Sequence, residues 1–118
     1  MWLPVLLYMV AIFVESSIQH PPSPPGPLTD KHVHALMYAG LCALLVRALA
    51  GGWRAPVTLG VAAFATMLAT IYGASDEWHQ HFVPTRTMDA ADLAADAIGA
   101  ALVAVALWIA AMRRGRRV

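Results

Sequence analysis

The residues of this chain that could do chemistry crowd into Tyr72–Gly99, YGASDEWHQHFVPTRTMDAADLAADAIG. Five of its seven carboxylates lie there (Asp76, Glu77, Asp89, Asp92 and Asp96), with Arg86 and two of the five histidines. Long apolar runs flank the stretch on both sides. Ionisable groups in or beside lipid are costly, so this density points to function rather than decoration. A second polar group lies upstream, in Asp30–Tyr38. Lys31, His34 and Tyr38 follow i, i+3, i+7 spacing, as do Asp89, Asp92 and Asp96, so each set lines one helix face. Glu77, Gln80 and His81 would share a face if their segment is helical. Neither stripe can face lipid cheaply, so the stripes should face each other.

Three chemistries fit these residue types. His34, Glu77 and Asp92 are the acid–base candidates, with Asp30 nearby, because clustered carboxylates and histidines shift one another's proton affinity. Lys31 and Arg86 could grip a phosphate or carboxylate head group, with Tyr38, Gln80, Asp89 and Asp96 completing the binding set. A metal site could use Asp76, Glu77, His79 and His81. That spacing matches no zinc pattern, and histidines at i, i+2 point apart on a helix, so no metal is expected. The plainer alternative is a charged network that closes the bundle, with Arg86 and Lys31 neutralising carboxylates. A single pair would do that job more cheaply than this whole set.

The elements that must position these groups are apolar. Hydrophobic residues make up 59% of the 118, charged residues only 13%, and the mean hydropathy is +0.61, which fits an integral membrane protein rather than a soluble domain. A membrane span needs roughly 20 apolar residues, because about 1.5 Å of rise each must cover about 30 Å of hydrocarbon. The chain has room for four, in one domain covering residues 1–118, with helices expected near 1–18, 31–50, 55–75 and 90–112. The first resembles a signal-peptide core but lacks basic residues before it and a small-x-small site after it, so it reads as an uncleaved helix. HPPSPPGPLTD follows as a stiff, extended loop, and Thr29 or Asp30 should cap the second helix. Gly51 and Gly52 stop that helix, and Pro56 suits the first turn of the third. Residues 76–89 form a polar segment and 113–118 a basic tail. Ala97 to Met112 spans only about 24 Å of helix, so the fourth helix should start upstream, near Asp89–Asp92, and carry Asp96 with it.

Basic residues set the expected orientation. Arg47, Arg54, Arg113, Arg114, Arg116 and Arg117 share one side, and Lys31 and Arg86 the other. The positive-inside rule then makes both termini cytoplasmic and turns the polar stretches outward. A net charge of +1 gives no field for nucleic acid. Cys42 sits within an apolar run and reads as a small buried hydrophobe. His20 and His32 read as solvated interface residues, and the four tryptophans as an aromatic belt near the span ends.

These residues resemble the VanZ-like family of small membrane proteins. The likeness lies in Ser16 and Ser17, in DKHVHALMYAGL (Asp30, Lys31, His34, Tyr38), and in DEWHQHFVPTRTMDAADLAADAIGA. Within the last run, Glu77, Gln80, Phe82, Pro84, Arg86, Asp89, Asp92 and Gly99 match the family pattern. Family members often carry Asn where this chain has Asp96. The namesake is linked to resistance to teicoplanin, a lipid-tailed glycopeptide antibiotic, so the resemblance implies a role at the cell envelope.

The expectation is therefore an all-α bundle of four transmembrane helices in a bacterial cytoplasmic membrane. Its outward polar site would recognise or process a membrane lipid or a lipid-linked anionic envelope precursor. A proton-coupled transporter or flippase component is the first alternative, and an assembly subunit without chemistry the second.

Overall fold

The computed structural model describes residues 1–19 and 22–116, so the expectations for His20 and Arg117 lie outside the described residues. Four helices follow in order: α1 (Leu3–Ser16), α2 (Asp30–Ala50), α3 (Leu59–Gln80) and α4 (Ala90–Gly115). There are no strands among the described residues. Helices α2, α3 and α4 are each long and apolar enough to cross a membrane. Helix α1 is apolar but has only 14 residues, about 21 Å of rise, which falls short of a full crossing.

Local chemistry sets the ends. Thr29 caps α2 through a capping box in which its amide donates to His32 Nδ1 at 3.0 Å. His32, expected to be merely solvated, is therefore part of a helix start. Gly51 closes α2 at φ 94°, a left-handed conformation that glycine adopts without a side-chain clash. Helix α3 begins at Leu59 rather than Ala55, because Thr58 caps it by accepting the Val61 amide at 3.1 Å. Pro56 therefore lies in the connector, not in the helix's first turn. The same helix runs to Gln80, so residues 76–80 of the expected polar segment are helical; the first proline that can block it is Pro84. Helix α4 starts at Ala90 with Asp89 as its cap, accepting the Ala91 amide at 2.9 Å.

Helix α2 packs against α3 and α4, α3 against α4, and α1 rests on α2 and α3. Tyr38, Leu41, Cys42 and Val46 of α2 meet Ala65 and Ala69 of α3 and Ala100 and Ala104 of α4 in the core. Small residues let the helices approach closely, and Gly99 allows the tightest crossing: a Cβ there would lie 2.7 Å from the carbonyl carbon of Ala35. Two tyrosines fasten α1, with Tyr8 donating to the Met37 carbonyl at 2.8 Å and Tyr72 to the Met9 carbonyl at 2.6 Å. Large apolar side chains such as Leu6, Leu36, Phe64 and Leu102 point outward, the surface that lipid rather than water would cover.

The helix directions sort the charges. Helices α1 and α3 end, and α2 and α4 begin, at the end that carries the carboxylates, Lys31 and Arg86. The opposite end holds Arg47, Arg54, Arg113, Arg114 and Arg116; there Arg47 stacks over Trp53 at 5.6 Å and Arg114 Nη2 donates to the Trp53 carbonyl at 3.5 Å.

Candidate functional site

At the carboxylate end the two polar stripes face each other across the α2–α4 crossing. Lys31 Nζ donates to Asp89 Oδ2 at 2.8 Å and to Asp92 Oδ1 at 2.6 Å. This ladder stands at the half-exposed mouth of the site, where the Lys31 ammonium holds the Asp89 carboxyl below its ordinary range. One turn deeper, His34 Nδ1 meets Asp96 Oδ1 at 2.8 Å, and Asp96 is fully buried. His34 Nε2 lies 3.8 Å from Asp92 Oδ2, too far for a hydrogen bond, so the imidazole is bonded to Asp96 and only faces Asp92. The i, i+3, i+7 spacing thus builds a ladder that runs inward from the mouth.

Helix α3 adds the third wall because it continues past Ser75. Asp76, Glu77 and Gln80 are all buried. Glu77 Oε2 accepts the Asp89 amide at 3.1 Å, tying the end of α3 to the start of α4. Among the described residues, Glu77 Oε1, Gln80 Nε2, Asp76 Oδ2, Asp96 Oδ2 and the Tyr38 hydroxyl are buried without a hydrogen-bond partner. Buried polar groups are normally paired, so this concentration of unpaired ones singles the place out as the candidate site. His34, Glu77 and Asp92, read from sequence as acid–base candidates, converge: one donor atom of each lies within 4.8 Å of the others.

Arg86 is placed differently from Lys31. Its side chain is only 13% exposed, and among the described residues its ion pair is with Glu15 of α1, Nη2 to Oε1 at 3.7 Å. Its Nε is buried and unpartnered among the described residues. The preceding residue, Thr85, has φ 68°, which is uncommon for a β-branched side chain, and its hydroxyl donates to the Gln19 carbonyl. That strained turn fixes the backbone from which Arg86 reaches inward. Glu15 and Thr85 were absent from the sequence-derived site. The signal for Glu15 was present, since it is the lone carboxylate of an otherwise apolar helix; nothing local announces Thr85.

Above these groups opens a cleft of about 440 Å³, bounded by the proline-rich loop and lined by His34, Gln80, Arg86, Asp92, Asp30 and Glu15. The quartet Asp76, Glu77, His79 and His81 does not gather. His79 stacks on Phe13 at 4.5 Å and its Nε2 shares a 2.9 Å hydrogen bond with Ser17, while exposed His81 sits edge-on to Phe82 at 5.2 Å. Their i, i+2 spacing sends them to opposite sides of α3.

Chemically, the arrangement offers a buried imidazole between carboxylates, a half-satisfied guanidinium and an open cleft. A family model described as VanZ/LLP1 matches residues 2–111, which takes in all four helix cores and every one of these groups. No curated protein and no solved structure matches the chain.

Proposed function

The chain belongs to the VanZ/LLP1 family, and from that premise we propose that it recognises, and acts on, a lipid-linked anionic substrate of the cell envelope. It would do so from the outer face of a bacterial cytoplasmic membrane. The observation that carries the reading is Arg86. A guanidinium held among buried groups, with one long contact to Glu15 and an unpartnered Nε, retains donors in the geometry that suits a phosphate or carboxylate. The cleft beside it takes a head group, and the apolar flanks of the helices suit the lipid tail. Lys31 is committed to Asp89 and Asp92, so it shapes the mouth rather than gripping the anion. His34, Glu77 and Asp92 then lie at the floor, where proton transfer to a bound head group would occur.

The test is the lipid that travels with the purified protein. Mass spectrometry of wild type should find an anionic, lipid-linked molecule enriched over the bulk membrane. Arg86→Lys, which keeps the charge but loses the two-pronged donor, should lose that enrichment at equal protein yield. The same lipid profile in both proteins would overturn the assignment.

A further inference from the structure

Where α2, α3 and α4 meet, three buried residues each keep one side-chain atom uncommitted. His34 uses Nδ1 on Asp96, which leaves Nε2, 3.8 Å from Asp92 Oδ2. Asp92 spends Oδ1 on Lys31 at 2.6 Å. Glu77 spends Oε2 on the Asp89 amide at 3.1 Å, and its Oε1 is buried without a partner among the described residues, on a residue only 3% exposed. One nitrogen or oxygen from each of the three lies within 4.8 Å of the other two. We propose that His34, Glu77 and Asp92 bind a divalent cation of the Zn²⁺ or Mn²⁺ kind.

Ligand atoms about 2.0–2.2 Å from such an ion sit roughly 3–3.5 Å apart, so small side-chain rotations would close the set. The support behind His34 has the form metal sites use. Asp96 meets the imidazole's other nitrogen at 2.8 Å, which fixes the ring. On binding, an ion would displace any Nε2 proton, and Nδ1–H donating to Asp96 would leave the Nε2 lone pair for the metal. Charge runs the same way. Glu77 and Asp92 bring two negative charges against Lys31, whose single positive charge is shared with Asp89. A dication supplies the balance. One imidazole with two carboxylates suits Zn²⁺ or Mn²⁺ better than Ca²⁺, which prefers a shell of oxygens alone. His34 and Asp92 also line the cleft, so positions on the ion would remain open to water or to a head-group oxygen. The inference rests on the preceding reading only in taking this cleft as the working site, and its test needs no lipid.

Purified wild-type protein in detergent, stripped with EDTA and titrated with ZnCl₂ or MnCl₂, should bind one ion per chain after gel filtration. Its melting temperature should rise with metal and fall back with EDTA. Glu77→Gln, which keeps the shape, should weaken binding more than about a hundredfold and abolish the metal-dependent shift. Asp96→Asn should weaken it less, within the roughly 10–100-fold range of an outer-shell change. His81→Ala should bind as wild type does. Wild type that retains no ion and shows no shift overturns the proposal, and would leave an Arg86-dependent lipid enrichment untouched. Equal binding by wild type and Glu77→Gln overturns it as well, as does loss of binding in His81→Ala.

Discussion

Three neighbouring carboxylates in this site face different circumstances. Asp96 is sealed in and bonded to His34, Asp92 borders the cleft, and Glu77 is buried with one oxygen unpaired. Breaking a buried ion pair from one side costs about 3–5 kcal/mol, so Asp96→Ala should melt far below wild type and accumulate poorly. Glu77→Gln removes a charge that burial disfavours while keeping the bond to the Asp89 amide. In EDTA-containing buffer its melting point should equal or slightly exceed that of wild type, while complementation of a deletion strain is lost. Melting curves beside complementation decide the matter. A Glu77→Gln protein that melts as low as Asp96→Ala would reduce Glu77 to a structural strut. Much at this scale was legible in sequence, because helical spacing put His34 on one polar stripe and Asp92 and Asp96 on another, and the cost of turning either stripe to lipid set the two face to face. The pairing of Arg86 with Glu15 was not, since it joins a loop to α1 across most of the chain and depends on the turn at Thr85.

Among the elements, α2 and α4 carry the site between them, and their closeness depends on Gly99 facing the Ala35 backbone. Gly99→Ala would drive a methyl group into the Ala35 carbonyl, and the backbone there has nowhere to retreat without moving both helices. Such overpacking costs about 1–3 kcal/mol, and it should also separate His34 from Asp96. Gly60→Ala is the matched control. Its Cβ would meet nothing nearer than Thr58 Oγ1 at 3.7 Å, so helix propensity should make it neutral or stabilising by up to about 1 kcal/mol. Thermal melting of the two variants checks this, and equal stabilities would mean that the α2–α4 crossing tolerates slack. The abundance of Ala and Gly in the fourth helix announced close packing, but no pattern in one helix can name the backbone it will touch. Helix α3 gives the opposite lesson. Its first residue was misplaced because Pro56 competes as a start signal with Thr58, whose side chain makes the actual cap.

At the scale of the whole molecule, charge is segregated along a body 53 Å in its longest dimension, enough to pass through a hydrocarbon core of about 30 Å and both interfaces. Composition announced the membrane, and arginine placement announced two unlike ends; the structure gathers Arg47, Arg54, Arg113, Arg114 and Arg116 opposite Lys31 and Arg86. Helix α1 resisted the same reading, because the helix runs only from Leu3 to Ser16, 14 residues, fewer than its apolar run suggested. If α1 nonetheless crosses, with its polar flanks lying in the interface, the arginine-rich end is cytoplasmic and the cleft faces outward. Ser23 in the proline-rich loop and Gly115 between the two C-terminal arginine pairs are both exposed, so single cysteines there report the two ends, in a Cys42→Ala background that removes the native thiol. An impermeant maleimide added to intact spheroplasts should label Ser23→Cys at once and Gly115→Cys only after lysis. Labelling of Gly115→Cys alone would invert the protein and give the cleft a cytoplasmic substrate. Labelling of both before lysis would put the two ends on one side, and α1 or another helix would then lie along the membrane rather than through it.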